Sequence, residues 1–210
     1  MTQNSLFTKN LPFSPACERN KEVILRTISS YLNRAECVLE IGTGTAQHAV
    51  HFANFSPNLT WQTSDLEQYH DGIIAQLKHA NVSNIKPPLI LDVNQPVWVS
   101  EKKQFDLVFT ANTLHIMSKA DVRAFFNGLS AVTSMDACLI VYGPFKYQGH
   151  FTSESNQQFD QSLRSRQCGS AIRDFEWVNE LANAQGFGLL VDHDMPVNNQ
   201  CLIWQKKAPL

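Results

Sequence analysis

The chain has 210 residues, of which 43% are apolar, and a formal net charge of −2. That length and apolar share predict one folded domain, residues 1–210, with a full core. The near-balanced charge excludes the electrostatic footprint of a DNA or RNA binder, and the lack of a long apolar run excludes a membrane-spanning helix.

Residues 1–13 read as an irregular arm without the charged and apolar regions of a secretory signal. With the helix that follows, they form an N-terminal segment over 1–34. Ser14-Pro15 is a helix start, a serine cap followed by proline at the first helical position. The helix is predicted to run to about Asn33, burying Val23, Ile24, Ile28, Tyr31 and Leu32. Its first turns, Ala16-Cys17-Glu18-Arg19-Asn20-Lys21-Glu22, are dense in polar groups. Taken alone, they read as a solvated helix end.

Residues 37–48, Cys-Val-Leu-Glu-Ile-Gly-Thr-Gly-Thr-Ala-Gln-His, carry the strongest signal in the chain. Val38, Leu39 and Ile41 suit a buried parallel strand. Gly42 and Gly44 break it, and Ala49, Phe52 and Ala53 recur at helical spacing from Thr45 onward. Strand, glycine turn and helix together make a place where a ligand can approach the main chain closely. A dinucleotide site asks for a third glycine where Gln47 stands. Glu40, two residues before Gly42, is poor company for a pyrophosphate and a good partner for an ammonium group.

A second strand is predicted over Leu59–Thr63, with Asp65 near its carboxyl end. Asp65 lies 21 positions after Gly44, the range at which an acid reaches ribose hydroxyls. The competing role is a cap on a helix over Glu67–Ala80 that buries Ile73, Ile74 and Leu77. A third strand, Pro88–Leu91, ends in Asp92-Val93, which suit an adenine edge or, equally, a turn before Asn94 and Pro96. Strand four, Phe105–Thr110, leads into Ala111-Asn112-Thr113-Leu114-His115. In open α/β sheets ligands lie outside the carboxyl ends of strands, which draws attention to Ala111, Asn112 and His115. His115 is the candidate for acid–base or positioning chemistry, set against a packed or capping histidine.

Ser118 to Asp121 is a capping box opening a helix through Val122, Phe125, Phe126 and Leu129. A fifth strand spans Ala137–Tyr142, closed by Gly143-Pro144. Residues 145–167, rich in aromatic, Ser, Asn and Gln residues, depart from the alternation and read as a lid or substrate segment. A helix is expected over Arg173–Gln185, ended by Gly186. Two closing strands, about Gly188–Asp194 and Gln200–Gln205, read as a hairpin. The five cysteines (Cys17, Cys37, Cys138, Cys168, Cys201) are odd in number and never spaced Cys-x-x-Cys. They predict free thiols and a reducing, cytoplasmic location, with no metal site.

The stretch from Glu40 to Ala46 resembles motif I of class I S-adenosylmethionine-dependent methyltransferases, (Asp/Glu)-x-Gly-x-Gly-x-Gly, with Ala46 where the last glycine is expected. Taken whole, the chain resembles a poorly characterised family of small class I methyltransferases that includes methyltransferase-like protein 26. The match rests on Pro15 to Glu22, Val38 to Ala53 and Trp61 to Asp65, and it spans nearly the whole length, ending with Pro196 to Asn199 before the last strand. The resemblance implies a Rossmann-like α/β fold, a seven-stranded mostly parallel sheet with helices on both faces and a C-terminal antiparallel hairpin. It implies S-adenosylmethionine as cofactor, with S-adenosylhomocysteine as product. The cofactor-binding residues it implies are Arg19, Asn20, Glu40, Gly42, Gly44, Gln47, His48, Asp65, Leu66, Asp92, Val93, Ala111 and Asn112. No Asn-Pro-Pro-Tyr motif follows strand four, which argues against amino-methylation of adenine or glutamine by that route. The expected partner is a small-molecule acceptor, with neither nucleic acid nor membrane; the oligomeric state is left open. Two alternatives stand beside this reading: a cofactor-binding module without turnover, and an NAD-dependent reductase.

Overall fold

A computed structural model describes residues 11–99, 104–166 and 169–207. The chain divides into two compact units, one ending at Leu91 and the other beginning at Asp92.

The first unit contains α1 (Pro15–Leu32), β1 (Cys37–Ile41), α2 (Gln47–Phe55), β2 (Thr60–Asp65), a 3-10 turn at Glu67–Tyr69, α3 (His70–Ala80) and β3 (Ile85–Ile90). β1 pairs with β2, and β2 with β3, all parallel. Ser14 caps α1 as expected, its hydroxyl accepting from the Cys17 N–H. The buried stripe of α1 is Ile24, Leu25, Ile28 and Leu32; Val23 and Tyr31 are only half-buried. Val38, Leu39 and Ile41 are buried in β1, against Phe52 and Ala53 of α2 and Trp61 of β2 in the same core. Two expectations are corrected here. The third strand begins earlier than predicted and includes Pro87 and Pro88. Proline lacks the N–H a central strand needs, and β3 tolerates two because it is an edge strand. The helix predicted from Glu67 opens as the 3-10 turn, its α-helical part starting only at His70.

The second unit contains β4 (Phe105–Ala111), α4 (Lys119–Val132), β5 (Thr133–Gly143), β6 (Phe145–Tyr147), β7 (His150–Phe151), α5 (Glu154–Arg166), β8 (Arg173–Asp174), α6 (Phe175–Ala184), β9 (Phe187–Met195) and β10 (Asn199–Lys206). β4 and β5 run parallel, while β10 is antiparallel to both β5 and β9. The predicted capping box is present: Ser118 accepts from the Asp121 N–H and Asp121 accepts from the Ser118 N–H. Gly128 sits inside α4 because a Cβ there would lie 2.1 Å from the Trp98 indole. Residues 145–167, expected to be a lid or substrate segment, contain the β6–β7 hairpin and all of α5; Gln167 lies outside the described residues. The helix predicted from Arg173 starts at Phe175, because Arg173 and Asp174 pair as β8 with Phe145 and Lys146 of β6.

Seven strands form one sheet in the order β3-β2-β1-β4-β5-β10-β9. This is the predicted Rossmann-like fold, mostly parallel with a C-terminal antiparallel hairpin whose last strand inserts beside β5. Among the described residues no helix is long and apolar enough to cross a membrane.

Candidate functional site

In the first unit, the carboxyl ends of β1 and β2 and the start of α2 build one cluster. Leaving β1, the chain turns at Gly42 (φ 76°) and Gly44 (φ 59°), both in the left-handed region that glycine enters freely. Ala46 also sits there, at φ 60°, as the residue before α2. This is where motif I has its third glycine, and alanine bears roughly 1–2 kcal/mol of backbone strain to take its place.

The amides of this turn do not point outward. Gly42 and Thr43 N–H both donate to the Ser64 carbonyl, at 3.1 and 3.0 Å. Gly44 N–H donates to Asp65 Oδ2 at 2.7 Å, and Leu66 N–H to Asp65 Oδ1 at 2.8 Å. A phosphate-binding turn presents such N–H groups to its ligand. Here β2 has taken them.

What the cluster presents instead is buried acid. Glu40 is 2% exposed; its Oε2 accepts from Trp61 Nε1 at 3.0 Å and Thr43 Oγ1 at 3.1 Å. Burial pushes its carboxyl up to about 8, against those two donors, and the nearby Asp65 adds to the rise. Burial also raises the Asp65 carboxyl, opposed by its two backbone donors. Space lies open in front of Gly44, where an added Cβ would meet no atom within 4 Å. Leu66, next to Asp65, is an exposed apolar residue.

Three other residues singled out in the sequence brace this cluster. Gln47, in the third-glycine position of a dinucleotide site, accepts from Ser14 N–H at 2.6 Å and Thr45 Oγ1 at 2.9 Å, and donates to Glu18 Oε2 at 3.0 Å. It ties the start of α1 to the start of α2. His48 Nε2 lies 2.7 Å from Asn20 Oδ1, and because that oxygen can only accept, Nε2 carries the proton. Burial pulls His48 down to about 4, so this link is neutral at pH 7. Arg19 is exposed on α1.

In the second unit, Asp92 forms a turn, its Oδ1 accepting from the Asn94 N–H at 2.9 Å and Asn94 Nδ2 at 3.2 Å. Val93 is buried and its carbonyl accepts from Trp98 Nε1. Ala111 ends β4, and Asn112 follows at φ 59°, its N–H donating to the Tyr142 carbonyl at 2.8 Å. His115 is buried, edge-on to Phe159 with ring centroids 5.3 Å apart. Burial, together with the nearby Arg173 charge, lowers it to about 4, so it is neutral at pH 7 and a weak base.

No local pattern marks what holds the 112–118 loop. Arg173, 4% exposed, donates to the carbonyls of Leu114 (3.1 Å), Met117 and Gly169 (2.6 Å). Ser170 Oγ donates to the Ile116 carbonyl at 2.6 Å, and Ala171 N–H to the His115 carbonyl at 3.0 Å. Two of its partners, Leu114 and Met117, lie 59 and 56 residues away in sequence, and no local spacing marks Arg173. Among the described residues no group of three His, Cys, Asp or Glu side chains could hold a metal.

The family model described as a protein of unknown function (DUF938) matches residues 11–206. Among solved structures, an O-methyltransferase family protein from Burkholderia thailandensis is similar with a TM-score of 0.81 at 14% identity, covering 93% of this chain and 58% of that one. The S-adenosylmethionine-dependent methyltransferase SibL, in its apo form, gives 0.77 at 16% identity, covering 92% and 56%. Human N-acetylserotonin methyltransferase, solved in complex with S-adenosylmethionine, gives 0.75 at 12% identity, covering 92% and 53%. The chain thus spans a little over half the length of these structures, and at such identities the likeness is one of fold.

Proposed function

We propose that this chain, which belongs to the family described as a protein of unknown function (DUF938), is an S-adenosylmethionine-dependent methyltransferase acting on a small-molecule acceptor. The observation that carries the reading is the acid under a turn whose amides are already used. A site with its N–H groups bonded to Ser64 and Asp65, and with Glu40 buried beneath, offers a pyrophosphate no free amide there and offers a cation an acid that can ionise. S-adenosylmethionine carries an ammonium and a sulfonium and no phosphate. The methyltransferase fold of the sheet supports the same reading. The narrower kinship, to the family that includes methyltransferase-like protein 26, belongs to this proposal as well.

When bound, S-adenosylmethionine supplies an electrophilic methyl group. The chain's own residues then divide the work as follows. Glu40, in its ionised form, holds the amino-acid ammonium. Asp65 spends one lone pair of each oxygen on a backbone N–H and keeps the others for ribose hydroxyls. Gly42 and Gly44 let the ligand approach the main chain, and Leu66 supplies an apolar surface. Asn20, Gln47 and His48 fix the turn against α1. Arg19, Asp92, Val93, Ala111 and Asn112 are assigned to the cofactor on the sequence resemblance. His115, neutral and buried, is assigned to positioning, since methyl transfer needs a base only when the acceptor must lose a proton as it attacks.

A thermal-shift titration with S-adenosylmethionine, S-adenosylhomocysteine and NAD tests the reading. A ligand bound only by the folded state raises the melting temperature by mass action. Both adenosyl ligands should stabilise the protein and NAD should not, and Glu40→Ala should remove the response. Stabilisation by NAD alone would replace the reading with the reductase, and cofactor affinity without turnover across a broad acceptor panel would leave the binding module.

A further inference from the structure

The second unit contains a cavity of about 560 Å³ that the proposed cofactor chemistry does not use. Its charged lining is Lys119, Lys146, Arg164, Arg173 and Asp174, four cations against one carboxylate, in a chain whose net charge is −2. The apolar part is Ala171, Ile172 and Trp177.

Each lining charge has an identifiable commitment. Arg164 Nε donates to Asp160 Oδ2 at 2.6 Å, and the same carboxylate accepts from the Ile172 N–H at 2.7 Å through Oδ1. Asp174 accepts from the Gly149 N–H at 2.9 Å. The guanidinium of Arg173 donates to carbonyls, which are neutral and leave its charge in place. Burial is the main cause of the fall in the Arg173 pKa, and repulsion from Arg164 adds to it; Asp160 and Asp121 oppose it. Lys119 Nζ lies 5.5 Å from the centre of the Trp177 ring, with Arg123 5.4 Å from the same ring. Lys146 Nζ lies 5.5 Å from the Phe151 ring. Both lysines lie over aromatic faces, which attract a cation without neutralising it, and the Lys146 charge also acts on Asp174.

We propose that this cavity is a binding site for a small organic anion. Lys119 and Lys146, over their aromatic supports, take a phosphate or carboxylate group, and the apolar body lies on Ile172, Ala171 and the edge of Trp177. The size argues for more than an inorganic ion: small-molecule sites span roughly 300–1,000 Å³, whereas a water occupies about 30 Å³. Arg173, buried and with Nε and one terminal nitrogen on carbonyls, supplies field rather than contact, and Arg164, its Nε on Asp160, stands at the exposed side with its terminal nitrogens uncommitted to that carboxylate.

The test uses the full chain and four probes: phenyl phosphate, benzoate, inorganic phosphate and neutral phenol, followed by thermal shift and calorimetry. Phenyl phosphate or benzoate should stabilise the protein saturably, and phenol should not. Preference for phenyl phosphate assigns the site to a phosphate monoester, and preference for benzoate to a carboxylate. The Lys119→Gln/Lys146→Gln double variant should bind the preferred anion at least tenfold more weakly. It should keep the melting temperature of the ligand-free protein and its response to S-adenosylmethionine, which separates this proposal from the cofactor reading. No response to either organic anion, an unchanged affinity in the double variant, or inorganic phosphate binding as tightly as phenyl phosphate would overturn it.

Discussion

Two loops leave the carboxyl ends of parallel strands in this protein, and they are held in opposite ways. The turn after β1 has its N–H groups drawn down by acceptors, the Ser64 carbonyl and the Asp65 carboxylate. The loop after β4 has its carbonyls drawn away by donors: Arg173, Ser170 and the Ala171 N–H. The first therefore concentrates acid beside an open backbone, and the second buries a cation and leaves its histidine neutral. A loop held by acceptors is suited to receive a cationic ligand, whereas a loop held by a buried guanidinium is chiefly being kept in shape.

Breaking the second loop should have the largest effect. Arg173→Met removes the donors to Leu114, Met117 and Gly169 while keeping much of the volume. With buried acceptors costing about 1–3 kcal/mol each when left unpaired, the loss should reach about 3 kcal/mol or more. Urea unfolding would read it as a lower midpoint at unchanged slope. A loss under about 1 kcal/mol would show that the loop is held by other means.

The first loop can be broken through its proton. Glu40 lies near 8 in the free protein and is mostly protonated at pH 7. An ammonium ligand favours the ionised form, so binding S-adenosylmethionine at pH 7 should release close to one proton. Calorimetry in two buffers of different ionisation heat should give different apparent enthalpies. Glu40→Gln should erase that difference and weaken binding at least tenfold, about 1.4 kcal/mol. A wild-type enthalpy independent of buffer would remove Glu40 from the ammonium role.

The buried histidines and Glu40 pull the pH dependence of stability in opposite directions. His48 and His115 are lowered from 6.5 to about 4, so the unfolded chain binds protons that the folded chain refuses. Their contribution is complete above pH 6.5 and is lost as pH falls toward 4. Glu40 is raised from 4.5 to about 8, so its contribution is complete below pH 4.5 and is lost as pH rises through 8. Together the three groups should place their combined maximum near pH 6.5. Unfolding midpoints at pH 4.5, 6.5 and 8.5 check this, and His48→Gln should flatten the acid side.

The smallest expected change is Ala46→Gly. It relieves left-handed strain of roughly 1–2 kcal/mol but gives up a buried methyl, leaving a gain of under about 1 kcal/mol in the melting curve. A loss instead would mean that the methyl contributes more to packing than the backbone strain costs.

The turn after β1 was legible because its determinants are local. Glycine at Gly42 and Gly44, acid at Glu40 and apolar residues through Ile41 all lie within a few positions, and each states a backbone or burial requirement in its own side chain. The capping box at Ser118 and the closing hairpin were legible for the same reason. Lys119 and Lys146 belong to different elements, and Arg173 reaches carbonyls more than fifty residues away, so no spacing announced them. The family resemblance assigns Asn20, Gln47 and His48 to the cofactor, and the fold adds what no spacing shows, that their polar atoms also bond one another, Ser14, Thr45 and Glu18.

By itself, then, the sequence determined the α/β order of elements, the glycine turn with acid at its base and the antiparallel close, because periodicity and backbone preference act over a turn or two of chain. Only the tertiary structure decided which donors and acceptors were already spent, that Glu40 is held largely protonated, and where positive charge collects. Those outcomes depend on burial and on partners brought from distant segments, which no local pattern encodes.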